Sequence, residues 1–368
     1  MRVLLLLLFA LLPSVSAETL FESEHHRFAV ERVVEGLEHP WAIAFLPEGD
    51  LMITERPGRL RLVRDGRLLD QPVAGLPPIH VEGQGGLLDL ALHPDFAENR
   101  WLYFSYSAAV AGGVTTRVAR ARLIDDRLQE VEVLFTATPA SRGGRHFGSR
   151  LLFDDAGYLY ITVGDRGTMA RAQRLDDHAG TTIRLHDDGR VPADNPYVNM
   201  PSALPEIYTW GNRNAQGMAL HPQTRAVWQH EHGPRGGDEV NRIHGGLNYG
   251  WPVVTHGVEY SGRTIGRGLT EKEGMQSPLY HWTPSIAPSG MVFYTGERFP
   301  QWQGHLFVGA LAGRHLVRLE LEGEHVVHEE RLLEALGLRI RDVRQGPDDA
   351  LWVLVDQPSA PLLRLVPR

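Results

Sequence analysis

One unit recurs six times along this chain: a short apolar strand, a tight turn holding Pro, Asp or Gly, and a second β-rich strand. Trp41–Phe45 turns through Pro47–Asp50 into Leu51–Thr54, and Leu88–Leu92 turns through His93–Asp95 into Trp101–Tyr106. Ser149–Phe153 leads through Asp154–Gly157 into Tyr158–Val163, and Gly217–Leu220 leads through His221 and Pro222 into Ala226–Gln229. Gly290–Phe293 passes through Phe299 and Pro300 to His305–Val308, and Ile340–Arg344 passes through Pro347–Asp349 to Leu351–Val355. The starts lie about fifty to seventy residues apart, and no long stretch carries apolar residues at helical spacing. Short strands with turn signals at a long period predict an all-β fold, a six-bladed β-propeller with four antiparallel strands per blade. A pair of irregular β-sandwiches would explain the turns but not the sixfold recurrence.

The repeat settles what length leaves open. A chain of 368 residues admits two or three domains, whereas six blades of roughly 58 residues make one. With 42% hydrophobic residues the chain has material for a core. No cysteine is present, which excludes disulfides, thiolate metal sites, Fe–S clusters and a cysteine nucleophile. The net charge of −8 argues against a nucleic-acid or anionic-membrane partner. Lys272 is the only lysine, so Schiff-base chemistry is nearly excluded as well. At the N-terminus, Met1-Arg2, the apolar run Val3–Leu12 and the small residues Val15-Ser16-Ala17 have the layout of a signal peptide over residues 1–17. The expected mature chain is then one propeller domain over 18–368, periplasmic or secreted and with no membrane span.

Between the strands, the loops carry Gly, His, Arg and Asn, the residue types that place chemistry on a rigid scaffold. In Arg142-Gly-Gly-Arg-His-Phe-Gly148 a histidine sits among glycines at the entry to a blade strand, open to a bound molecule and able to take a proton near neutral pH. Nineteen residues on, Asp165 in Val163-Gly-Asp-Arg-Gly167 could orient that imidazole, although the residues by themselves favour a plain turn histidine and an exposed turn aspartate. Trp210-Gly-Asn-Arg-Asn-Ala-Gln-Gly217 offers a guanidinium fork at Arg213 and an amide at Asn214, suited to a carboxylate or quinone, or else a surface turn. His230-Glu-His-Gly-Pro-Arg-Gly-Gly-Asp-Glu239 invites zinc, but no third nitrogen ligand is near, and its carbonyls and carboxylates suit calcium better. Arg339 and Arg341 share a strand face, fit for a multiply anionic ligand or a solvated edge. No nucleotide-binding glycine loop and no serine-hydrolase elbow occurs.

Taken in order, these segments resemble the soluble PQQ-dependent aldose sugar dehydrogenases, the soluble glucose dehydrogenase family. The resemblance runs from His39-Pro-Trp-Ala42 to Leu362-Leu-Arg-Leu-Val366 and is most specific in His232-Gly-Pro-Arg-Gly-Gly-Asp-Glu239, Asn248-Tyr-Gly-Trp-Pro252, Trp210–Asn214 and Gly143–Gly148. It implies a six-bladed propeller with pyrroloquinoline quinone (PQQ) and Ca²⁺ at one end of the axis. It implies His146 as general base, Asp165 as the acid that orients it, and Gln84 beside substrate and cofactor. Arg213, Asn214, Tyr260, Arg339 and Arg341 match cofactor contacts. Gly233 and Pro234 match backbone ligands of the calcium that touches PQQ, and Glu239 and Tyr249 match ligands of a second, structural calcium. The chain departs from the family at Ala312: related sequences carry a PQQ-contacting lysine after the Gly309-Ala310-Leu311 run, a role nearby Arg314 could take over.

The activity so implied is oxidation of an aldose at C1 to its lactone, with an external electron acceptor as the second partner. Two other readings of the same propeller stand beside it. A calcium-dependent sugar lactonase would need a metal held by side-chain carboxylates in the central channel. A non-catalytic propeller binding carbohydrate or protein would need no cofactor at all.

Overall fold

The computed structural model describes residues 19–368, so the signal-peptide segment 1–17 lies outside the described residues. Six antiparallel sheets form the blades, five of four strands and the last of five. Blade 1 is built from Pro40–Phe45, Leu51–Glu55, Arg59–Arg64 and Arg67–Leu68. Blade 2 spans Leu87–Leu92 to Arg127–Thr136, blade 3 Leu151–Phe153 to Ile207–Trp210, and blade 4 Ala215–Leu220 to Tyr280–Trp282. Blade 5 runs from Pro288–Phe293 to His325–Leu332. The units read in the sequence are the first two strands of each blade.

Those first strands pack against one another around a closed ring, each against the first strand of the next blade and the sixth against the first. Crowding on that ring explains its small residues. A Cβ on Gly290 would stand 2.0 Å from a carboxylate oxygen of Asp342 in blade 6, and one on Gly217 would stand 2.1 Å from a ring nitrogen of His230. Between the blades lie the apolar layers, for example Phe28, Trp302, Phe307 and Val353 between blades 5 and 6, all fully buried. Among the described residues no helix is long and apolar enough to cross a membrane.

Blade 6 is assembled from both halves of the chain. Ile340–Gln345, Leu351–Val355 and Ala360–Pro367 come late, and Arg27–Leu37 from the start of the described chain pairs with Ala360–Pro367, Ala29 opposite Val366 and Leu37 opposite Ala360. The short strand Leu20–Glu22 adds a fifth member beyond it. This seam ties the ring shut.

Inside the ring, four charged side chains meet, all buried but Arg344, which is partly exposed. Arg150 reaches Asp89 at 2.9 Å and Asp342 at 3.3 Å, and Arg344 reaches Asp89 at 3.1 Å and Asp342 at 2.9 Å. Both aspartates are fully buried. The pairs rivet blades 2, 3 and 6 together, and they divide the axis into two ends.

Candidate active site

At the end of the axis where the first strands begin lies a cavity of about 370 Å³. Trp41, Gln216 and Arg341 reach it from first strands, while Gln84, Tyr260 and Arg339 reach it from loops. The sequence-predicted Gln84, Tyr260, Arg339 and Arg341 therefore come together in one lining, joined by His232, which the sequence reading weighed only as a zinc ligand, and by Arg56 and Asp356, which it passed over.

The loop carrying His146 is shaped by its glycines. Gly143, His146 and Gly148 have φ of +87°, +53° and +63°, and a left-handed histidine is a strained position that its surroundings must hold. The Gln84 N–H donates to the Gly144 carbonyl at 2.7 Å, and the His146 N–H donates to the Gln84 Oε1 at 2.8 Å. Gly144 is needed there, because a Cβ would stand 2.4 Å from the Glu82 carbonyl oxygen.

His146 Nδ1 lies 2.6 Å from Asp165 Oδ1. Asp165 also accepts from the Gly167 N–H at 2.7 Å and from the Trp251 indole N–H at 2.9 Å. Burial alone would raise the Asp165 carboxyl, but the bond from His146, that imidazole's charge, the Gly167 N–H and Arg213 hold it below the ordinary carboxylate range. An ionised acid accepts only, so Nδ1 carries the imidazole proton and Nε2 keeps a free lone pair. Burial, opposed by Asp165 and aided by the Arg213 charge, lowers the histidine's own pKa, so the ring is neutral at pH 7. The arrangement is that of an oriented base.

Arg213 crosses behind this pair. Its guanidinium donates to the Gly233 carbonyl at 2.8 Å and the His232 carbonyl at 3.1 Å, lies 3.5 Å from the Tyr260 hydroxyl, and sits 5.3 Å from the Trp251 ring centroid. Arg341 donates to the Gln216 side chain at 2.9 Å and lies 5.6 Å from the Trp41 ring centroid, and burial beside Arg150 and Arg339 lowers its pKa to about 10, so it stays charged. Arg339 pairs with Asp356 at 3.2 Å and braces on the Leu311 carbonyl at 3.2 Å. A planar tricarboxylate fits such a lining. Trp41 offers a flat face, and Arg341, without a carboxylate of its own in these bonds, offers a fork for an anion.

A second, much smaller enclosure, about 10 Å³, is walled by Glu231, Gly233, Glu239 and Tyr249 among others. That is room for one ion or water. Burial pushes the Glu231 carboxyl up to about 7, and burial together with the Glu231 charge pushes Glu239 well above the ordinary range. Two buried carboxylates facing one another ask for a cation, and all-oxygen donors suit a hard one such as calcium. Tyr249 spends its hydroxyl on the Arg242 carbonyl at 2.6 Å and the His244 N–H at 2.9 Å, so its backbone carbonyl is what it can offer. His232 lines both enclosures, and Gly233 after it accepts from Arg213 and is followed by the buried Pro234. His230 and His232 do not converge on a metal: His230 packs on Gly217, and His232 Nε2 bonds the Pro288 carbonyl.

His146, Asp165, Arg213, Asn214 and Ala312 are not among the residues that line the cavity; His146 adjoins it through its bond to Gln84. Ala312 is exposed, with its N–H on the Ile286 carbonyl, and neither it nor Arg314 is among the lining residues. Asn214 turns its Oδ1 to the Gly148 N–H at 3.1 Å, fastening the end of the His146 loop rather than lining the cavity. Glu231, Trp251 and Asp356 were given no role; Glu231, flanked by His230 and His232, and Trp251, in Asn248-Tyr-Gly-Trp-Pro252, lay inside segments already singled out, and Asp356 did not. The carboxylates of the central channel are Asp89 and Asp342, and both are bound to arginine, which leaves them no place in a lactonase-type metal centre.

The site thus sets an oriented imidazole, joined through Gln84 to a cation-lined axial cavity, on a six-bladed propeller. The chain belongs to the Glucose / Sorbosone dehydrogenase family, whose pattern matches residues 37–364. It is 42% identical to the aldose sugar dehydrogenase YliI of Escherichia coli, over 98% of each chain. The crystal structure of the soluble aldose sugar dehydrogenase of E. coli in its apo form superposes with a TM-score of 0.90 at 44% identity, covering 93% of this chain and 100% of that one. The PQQ-bound aldose sugar dehydrogenase of Streptomyces coelicolor superposes with a TM-score of 0.76 at 26% identity, covering 92% and 98%.

Proposed function

We propose that this protein is a periplasmic aldose dehydrogenase that uses PQQ and calcium and oxidises the sugar at C1 to a lactone. The observation that carries the reading is the His146–Asp165 pair, held at 2.6 Å beside a cavity lined by Arg339 and Arg341. Arg339 and Arg341 would hold carboxylates of PQQ, Trp41 its ring plane, and Gly233 and Pro234 a calcium shared with it. When bound, PQQ supplies the acceptor for the hydride that leaves C1.

His146 Nε2 takes the proton of the anomeric hydroxyl, and the C1–O bond gains its second component as the C1–H electron pair departs. Asp165 keeps the imidazole in the required tautomer and stabilises the imidazolium as it forms. Gln84 fixes the His146 backbone from the opposite side. The net change is loss of two electrons and two protons from the sugar, passed on to an external acceptor. Among the relatives, the PQQ-bound S. coelicolor enzyme supports the cofactor. Purified protein, stripped of metal and reloaded with calcium, is tested for dye reduction by aldoses with and without PQQ. PQQ-dependent reduction is the expected result. Its absence with every aldose overturns the reading, and lactone hydrolysis without PQQ replaces it with a lactonase.

A further inference from the structure

The loop that carries His146 has a second fastening, which the proposed reaction leaves unexplained. Arg166 follows Asp165 directly and is only 6% exposed. A buried arginine ordinarily meets a carboxylate, because desolvating its charge is costly. This one spends its hydrogen bonds on backbone instead: Nη2 donates to the Gly143 carbonyl at 2.7 Å and Nη1 to the Arg145 carbonyl. Its guanidinium carbon lies 3.5 Å from the centroid of the Phe147 ring, a cation–π contact. Burial lowers its pKa to about 10, so the charge persists at neutral pH.

The two carbonyls it grips belong to the left-handed turn around His146. Gln84 holds that turn by the His146 N–H, and Arg166 holds it by carbonyls three and one residues earlier. The chain on either side of Arg166 is interlocked with the same turn. A Cβ on Gly164 would stand 2.2 Å from the His146 carbonyl oxygen, and one on Gly167 would stand 2.7 Å from the Arg145 Nε. Asp165 therefore aims at His146 from a segment that is itself clamped to the loop through Arg166.

Building on His146 as the base, we infer that Arg166 is the positioning residue that fixes His146 in register with Asp165. It touches neither sugar nor cofactor; it sets the 2.6 Å contact on which the tautomer depends. Misplacing a reacting group by about an ångström costs on the order of a hundredfold in rate.

The test compares wild type with Arg166→Met, which keeps apolar length over Phe147, and Arg166→Lys, which keeps the charge but not the fork. The first readout is the imidazole tautomer of His146 in the full chain without added PQQ, from long-range nitrogen–proton NMR of histidine-labelled protein assigned with His146→Ala. A single Nδ1–H form is expected in wild type, mixed forms in Arg166→Met, and an intermediate mixture in Arg166→Lys. The second readout is steady-state oxidation with PQQ and calcium. For Arg166→Met kcat should fall ten- to a hundredfold, with aldose KM and PQQ affinity within about twofold, and free guanidinium should restore part of it. An unchanged tautomer in Arg166→Met overturns the inference, whether kcat is retained or falls together with PQQ affinity. If Arg166→Met does not fold, the spectrum of Arg166→Lys decides in the same way. If wild type oxidises no aldose, the functional proposal fails, while the tautomer comparison still judges Arg166.

Discussion

At the scale of single residues, the site is a set of charges whose protonation is fixed by neighbours. His146→Ala should lower kcat by ~10² to 10⁴-fold while PQQ titration stays near wild type, since general-base catalysis contributes about that much. Near-normal turnover would show that another group takes the proton. The Glu231–Glu239 pair makes the metal-free protein sensitive to alkali. Their folded-state pKa values are raised, Glu231 to about 7; protonated carboxyls favour the fold at low pH, and that contribution is lost as pH rises through the folded values. Chelation should therefore lower the melting temperature by roughly a few degrees at pH 8 and scarcely at pH 5, with calcium restoring it. Equal shifts at both pH values would refute the assignment. His146, Asp165, Gln84 and Arg341 were legible because glycines, spacing and family resemblance marked them. Arg166, Glu231 and Asp356 were not: an arginine among 36, or a carboxylate at the end of a strand, reveals its role only when the fold shows what it faces.

At the scale of elements, the strands nearest the axis were readable and the outermost were not. The first two strands of each blade are apolar and adjacent in sequence, joined by tight turns in most blades and by longer connections with a helical turn in blades 2 and 5, so local pattern suffices. The outer strands alternate around solvent, and Arg27–Leu37 pairs with residues more than three hundred positions away, which no window along the chain can detect. The axial strands also admit little side chain. Gly290→Ala should destabilise the protein by about 1–3 kcal/mol in denaturant titration, because its Cβ would stand 2.0 Å from Asp342. A neutral result would mean that blade 6 can retreat from blade 5 at no cost.

At the scale of the whole molecule, six sheets are held in a ring by interblade apolar layers, by the buried charges on the axis and by one seam. Arg150→Met would leave Asp89 and Asp342 sharing Arg344 alone, and should cost about 3–5 kcal/mol, the usual penalty for breaking a buried pair. Unchanged stability would show that the axis admits enough water to solvate both acids. The seam carries a different consequence. A chain made and delivered N-terminus first exposes Arg27–Leu37 at the outset, and its partner Ala360–Pro367 arrives last. Until then only Leu20–Glu22 lies beside it, and the side that will meet Ala360–Pro367 is an open edge, a template for pairing with a neighbouring chain. Arg27, Glu31, Arg32 and Glu35 along it are charges of the kind that keep a waiting strand from the wrong partner until Ala360–Pro367 has emerged.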